Sequence, residues 1–211
     1  MTTLVACEPS LGSTEMHGGS WEGRCVTVVG LGRSGLSAAR LLSRLGCRVR
    51  VTEARETEEL RVARERLHAV GVDEVELGGH THRSIDRAEA VVVSPGVPES
   101  TGPIRWAIEQ RLPILSEIEL AFRVCRSPVI AVTGTNGKST VVTLIAELLR
   151  AIGRSAIACG NLGIPFSSVV DRMTSGSSRS ARARCSLLHS SSAVTRAPRR
   201  PSASETSAML T

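Results

Sequence analysis

Tyrosine is absent from this chain of 211 residues, and two Trp and two Phe are its only other aromatic side chains. Lysine is almost absent too, with Lys138 standing alone beside 25 Arg. So few rings leave little from which to build a base-stacking platform, so a net charge of +6 does not by itself indicate a nucleic-acid surface. That charge is also localised. Residues 172–211 hold seven Arg against Glu205, while residues 1–171 balance at 19 basic and 19 acidic side chains. Long hydrophobic runs are missing, and no stretch approaches the roughly 20 residues of a membrane helix. Leu4-Val5-Ala6-Cys7 has no basic and apolar segments ahead of it, so it does not read as an export signal. The six cysteines form no CxxC pair and read as buried free thiols in a reducing compartment. These absences together imply a cytoplasmic protein with no nucleic-acid or membrane partner, and no protein partner is indicated.

What is present is an alternation of apolar runs and amphipathic stretches. Residues 1–22 are rich in Gly, Ser, Thr and Glu and read as a flexible leader. Strands are expected at Cys25–Val29, Arg48–Thr52, Glu74–Leu77 and Ala90–Ser94. Helices are expected with Ala38, Leu41, Leu42 and Leu45 on one face and Gly46 at the end, from Glu56 to Val70, and from Thr101 to Gln110. Strand, helix, strand, helix is the pattern of a parallel sheet covered on both faces. A second unit opens after Arg126-Ser127-Pro128, with a strand Val129–Thr133, a helix Lys138–Ile152 and a strand Ser155–Cys159. After Asp171 the periodicity stops: the last forty residues hold eleven Ser, seven Arg and six Ala. The fold class is therefore α/β, a Rossmann-like parallel-sheet domain over 23–126, a truncated P-loop domain over 127–171 and a disordered tail over 172–211.

Gly30-Leu31-Gly32-Arg33-Ser34-Gly35 fits GxGxxG between a strand and a helix, and Glu53 ends the next strand 23 residues on. Bare glycines let the backbone approach a pyrophosphate, and the helix N-terminus supplies N–H donors. The pattern does not say which diphosphate is held: a nicotinamide dinucleotide and a nucleotide-sugar offer the same group, and the turn also serves plain helix-on-strand packing. Ser94-Pro95-Gly96-Val97-Pro98 ends a strand at the edge where open α/β sheets bind ligands, and reads equally as a ligand-facing turn or a rigid connector.

The second motif is Gly134-Thr135-Asn136-Gly137-Lys138-Ser139-Thr140. Val132 stands where the longer Walker form has its first glycine, yet the shorter loop performs the same task. Its backbone N–H groups form an anion nest, Lys138 neutralises phosphate charge, and the Ser139 hydroxyl is placed for Mg2+. That the one lysine of an arginine-rich chain sits here fits a compact ammonium chosen for a phosphate. His80-Thr81-His82, by contrast, lies in a polar connection and reads as a solvated loop. Arg55, Glu56, Glu58 and Glu59 read as an exposed helix start.

In order, GLGRSG, TEAR, VVVSPGVP, LSEIEL, AVTGTNGKST and CGNLGIP resemble the Mur ligases of bacterial cell-wall synthesis, most nearly the D-glutamate-adding branch, over Gly23 to Asp171. The resemblance implies that the Rossmann-like unit holds the uridine diphosphate of the substrate. Gly30, Gly32, Arg33, Ser34, Ala54, Arg55 and Ser94 would then line that site, and Asn161 would touch the sugar-peptide part. It further implies that Gly134 to Thr140 bind ATP and Mg2+, with Lys138 catalytic. The implied reaction joins D-glutamate to UDP-N-acetylmuramoyl-L-alanine through an acyl phosphate. Ala54 is less polar than that position implies. After Lys138 the only acidic residues are Glu147, Asp171 and Glu205, so the glutamate that a following strand of the family carries for magnesium has no counterpart. A Ser/Arg/Ala-rich run beginning abruptly inside a domain is what a shifted reading frame in GC-rich DNA produces, and an inactive, truncated form is expected. Readings as a nicotinamide-dependent oxidoreductase or as a non-catalytic nucleotide-binding fragment stay open at this stage.

Overall fold

The computed structural model describes residues 2–7, 20–160, 163–175 and 184–189. After β1 (Thr2–Cys7) come β2 (Cys25–Val29), α1 (Arg33–Arg44), β3 (Arg48–Glu53), α2 (Glu58–His68), β4 (Glu74–Leu77), β5 (Ala90–Val93), α3 (Gly102–Glu109), β6 (Ile114–Ser116) and α4 (Glu117–Val124). Strands β2 to β6 form a parallel sheet in the order β4-β3-β2-β5-β6. The expected α/β, Rossmann-like parallel sheet is therefore present.

Local chemistry explains the elements. Strand β2 is buried along its whole length and alternates between two cores. Val26 and Val28 join Leu41, Leu42 and Leu120 on one side; Val29 joins Ile85, Val91 and Ala107 on the other. Helix α1 turns Ala38, Leu41 and Leu42 inward and stops before Gly46, whose φ of +79° suits a residue without a Cβ. Helix α2 starts at Thr57, whose hydroxyl accepts from the Leu60 N–H, with Glu58 and Glu59 at the positive end of the dipole. Helix α4 starts the same way: the Ser116 hydroxyl accepts from the Glu119 N–H at 3.1 Å.

The second part of the chain contains β7 (Val129–Gly134), α5 (Lys138–Ala151), β8 (Ser155–Gly160), α6 (Phe166–Ser175) and β9 (Arg184–His189). Its sheet runs β1-β7-β9-β8, with β1 antiparallel to β7 and the other pairs parallel. This corrects three expectations. Residues 2–7 of the expected leader form an edge strand. Residues 184–189 of the expected disordered tail form an inner strand, and the β7 edge expected to be bare is paired. The physical reason is that a short strand is stabilised by ladder partners far away in the chain, which local periodicity cannot report. The rest of both segments lies outside the described residues.

Nor is the boundary at 126/127 a boundary in the core. Helix α5 packs Val142 and Ala146 on one face of the second sheet, with Val132 and Ala156. The opposite face, through Val129 and Cys159, joins the first unit's core, where Phe166, Val169 and Val170 of α6 meet Leu41, Leu42, Leu120 and Ala121. Helix α6 thus lies between the two units and is common to both. Among the described residues no helix is long and apolar enough to cross a membrane.

Candidate functional site

The order of the first sheet reverses between β2 and β5, and two candidate motifs stand there, the glycine turn after β2 and Ser94-Pro95-Gly96 after β5. Crevices of this kind at the carboxyl ends of the strands are where open α/β sheets take ligands. The three glycines do different things. Gly30 has φ +91°, donates its N–H to Thr52 O at 2.8 Å, and a Cβ there would lie 2.8 Å from Val97 Cγ2. At Gly35 a Cβ would lie 1.9 Å from Gly30 O, so that glycine lets α1 press onto the turn. Gly32 meets nothing within 4 Å. It alone of the three leaves its backbone open to a phosphate, at the N-cap of α1 where no side chain caps the helix.

The neighbouring side chains brace this turn. Ser94 is buried and its hydroxyl donates to Gly30 O at 2.9 Å, so SPGVP acts as a connector holding the turn. Glu53, 6% exposed, accepts the Leu31 N–H at 2.8 Å on one oxygen and the Arg55 N–H and Nε–H on the other, both at 3.1 Å. Burial works against its charge, but these donors and the Arg55 cation hold its carboxyl below the usual glutamate value. Sequence reading placed Glu53 at the strand end without a role, and only the fold shows it gripping the loop. Arg33 and Arg55 are exposed at the rim, Ser34 is half-buried, and Ala54 is exposed.

The second motif leaves β7 at Gly134 and enters α5 at Lys138. Gly137 caps the helix at φ +77°, in the left-handed region, which turns successive backbone N–H groups toward one side. Lys138 Nζ donates to the carbonyls of Gly134 and Thr135, the latter at 3.1 Å, and so is folded over its own loop. Thr135, Asn136, Ser139 and Thr140 are exposed. The donor set fits a polyphosphate with its magnesium ion: an ammonium, a hydroxyl beside it, and uncapped N–H groups at a helix N-terminus.

Between the two motifs runs the turn after β8, where the Gly160 N–H donates to Ile164 O at 2.7 Å. Arg33 of the glycine turn reaches it: Nη1 lies 3.5 Å from Gly163 O. Asn161 lies outside the described residues. Helix α6 follows, and its Ser167 donates backbone N–H and hydroxyl to Glu117 Oε1 of α4 at 2.6 and 2.5 Å. His80 and His82, the histidines of the polar connection, are engaged separately. His80 Nδ1 lies 2.7 Å from Thr52 Oγ1, and the His82 ring stacks on Trp106 at 3.8 Å.

Residues 24–116 match the family profile described as Mur ligase MurD-like, N-terminal domain. This stretch is a MurD-like N-terminal domain. The chain is 44% identical over 151 residues to the UDP-N-acetylmuramoylalanine--D-glutamate ligase of Desulfosudis oleivorans, covering 72% of this chain and 33% of that protein. It is 42% identical over 147 residues to the enzyme of the same name from Pelotomaculum thermopropionicum, covering 70% and 32%. It spans about a third of the length of these relatives. Among solved structures, a UDP-N-acetylmuramate:L-alanyl-gamma-D-glutamyl-meso-diaminopimelate ligase from Neisseria meningitides aligns with TM-score 0.47 and 17% identity, over 79% of this chain and 52% of that one. The MurD-like domain thus contains β2 to β6 with the glycine turn, Glu53 and Ser94.

Proposed function

We propose that this chain carries the nucleotide-binding half of an ATP-dependent ligase that adds D-glutamate to UDP-N-acetylmuramoyl-L-alanine. The observation that carries this reading is the likeness over 151 residues to ligases named for that reaction. It is longer than the MurD-like domain itself, so it extends beyond that domain. Within the MurD-like domain the open Gly32 backbone, with Arg33 and Ser34 at the start of α1, would take the uridine diphosphate, while Arg55 closes the rim. Gly30 and Ser94 shape the turn, and Asn161 would meet the sugar-peptide. Glu53 supports a uridine nucleotide over a nicotinamide dinucleotide. In dinucleotide folds the acid at this position binds ribose hydroxyls, whereas here both carboxylate oxygens are taken by Leu31 and Arg55.

The loop Gly134–Thr140 would hold the ATP phosphates, Lys138 balancing their charge and Ser139 facing magnesium. Magnesium, when bound, supplies positive charge against the phosphate oxygens. The chemistry needs that charge: a carboxylate is a poor electrophile until it is phosphorylated, and bringing it to a γ-phosphate forces two anions together. The amine of D-glutamate then displaces phosphate from the acyl phosphate. Because the acidic residues after Lys138 are only Glu147, Asp171 and Glu205, this chain by itself binds its nucleotides and does not complete the ligation.

Titration calorimetry with UDP-N-acetylmuramoyl-L-alanine, NADH and ATP tests the reading. Binding of the uridine nucleotide and of ATP, with ATP lost in Lys138→Ala, supports it. Binding of NADH in place of the uridine nucleotide would overturn it. Phosphate release dependent on both UDP-N-acetylmuramoyl-L-alanine and D-glutamate would show that the chain is active.

A further inference from the structure

Glu117 is 2% exposed, yet neither the glycine turn nor the ATP loop uses it. A carboxylate taken that far from water is costly unless hydrogen-bonded donors or positive charge meet it. Its donors come from another element: the backbone N–H and hydroxyl of Ser167, with the Phe166 N–H beside them. These are the first N–H groups of α6, the groups that a helix leaves without an intrahelical partner. Glu117 therefore caps α6 from outside, with its carboxylate at the positive end of that helix dipole. Two more contacts bind the same helix and its leading turn to the MurD-like domain: Arg44 Nε to Asp171 Oδ1 at 3.1 Å, and Arg33 Nη1 to Gly163 O at 3.5 Å. The turn from Gly160 to Pro165 is thus fixed at its helix end by Glu117 and touched near its middle by the glycine turn.

We infer that Glu117 is a positioning residue, which sets the 160–165 turn against the glycine turn by capping α6 and so aligns the sugar-peptide part of a nucleotide-sugar with its diphosphate. The inference rests on the nucleotide-sugar reading of the site. It separates two affinities that a merely structural role would move together. UDP alone needs only the glycine turn, which Glu117 does not touch, whereas UDP-N-acetylmuramoyl-L-alanine also needs the 160–165 turn.

The test uses the full chain with Glu117→Ala, Glu117→Gln and Ser167→Ala. Hydrogen exchange is read at the amides of residues 163–170 and of β2 to β5, and calorimetry is run with UDP and with UDP-N-acetylmuramoyl-L-alanine. In Glu117→Ala the exchange of 163–170 accelerates by roughly 5- to 30-fold, the scale of a lost helix cap, while β2 to β5 keep their protection. UDP affinity stays within about twofold and the nucleotide-sugar loses roughly 5- to 30-fold. Glu117→Gln, which keeps an acceptor in place, restores both. Should Glu117→Ala fail to fold, Ser167→Ala removes one donor and shifts the same two readouts in the same direction by a smaller factor. Unchanged exchange at 163–170 overturns the inference, and so does a fall in UDP affinity equal to that of the nucleotide-sugar. If the wild-type chain binds neither nucleotide, the proposed function fails, and the exchange arm, which needs no ligand, still decides whether Glu117 holds the turn.

Discussion

Two buried glutamates in this molecule respond to acid in opposite ways. Glu53 accepts three hydrogen bonds from Leu31 and Arg55, and these outweigh burial, so its carboxyl is held below its ordinary value. Its charged form is favoured by folding, so it contributes stability above the ordinary glutamate value that is lost as pH falls through its lowered native value. Glu117 is the reverse: burial pushes its carboxyl up in spite of the Ser167 and Phe166 donors. The folded state then binds the proton more tightly than the unfolded one, and stability falls as pH rises from the ordinary value through the raised one. Subtracting the denaturation free energy of each Gln variant from wild type across pH 3 to 8 isolates the two effects. Glu53→Gln is expected to be destabilising by about 1–3 kcal/mol at neutral pH, the worth of hydrogen bonds to a charged group, with the deficit shrinking in acid. Glu117→Gln is expected to gain on wild type as pH rises. Parallel curves for the two variants would contradict the assignment.

At the scale of elements, the glycine turn shows how three identical residues divide the work. Gly35→Ala would set a methyl 1.9 Å from Gly30 O, which neither backbone can absorb while α1 stays on β2. A loss of about 3 kcal/mol or more is expected, among the large effects of overpacking. Gly32→Ala meets nothing within 4 Å and has φ −78°, so stability should change by less than about 1 kcal/mol while uridine-nucleotide affinity falls. Thermal melts with UDP calorimetry on the two variants check this, and a Gly32→Ala protein that binds as wild type would remove Gly32 from the ligand surface.

How far the sequence disclosed these elements depended on the range of the forces involved. Strand β4 falls on the expected residues, and β2, α1 and α5 lie within a residue or two of expectation, because their apolar periods are local. Helix α4 was missed although Ser116 with Glu119 three residues on is a helix-start signal. A glutamate at its buried position 117 breaks the apolar stripe, since its partner lies fifty residues away. Helix α6 was missed for the complementary reason: buried Ser167 is the other half of that pair. At the candidate site the phosphate loops were legible as motifs, but the inward turn of Glu53 and the bracing by Ser94 required strands β3 and β5 to lie on either side of β2.

For the whole molecule, the shared helix changes what stability means. Phe166 is fully buried and follows the ATP loop by nearly thirty residues, yet it packs in the core of the MurD-like domain with Leu41, Leu42 and Leu120. A chain whose units were joined only by a linker would confine the damage of Phe166→Ala to the second one. Here the cavity opens beneath α1 and α4, so the variant is expected to destabilise the first sheet by about 3–5 kcal/mol, the usual cost of removing a buried phenyl ring. Native-state hydrogen exchange reads this directly: the amides of β2 and β5 should lose protection along with those of α6. Limited proteolysis should cut within 135–155 before 166–172, because α5 exposes Leu144, Leu148 and Ile152 and packs on one sheet face only. If β2 and β5 kept full protection in Phe166→Ala, α6 would be an appendage of the second unit. The two nucleotide loops would then be free to move independently. If protection falls together, one cooperative core holds both loops, and their relative placement is fixed before any nucleotide arrives.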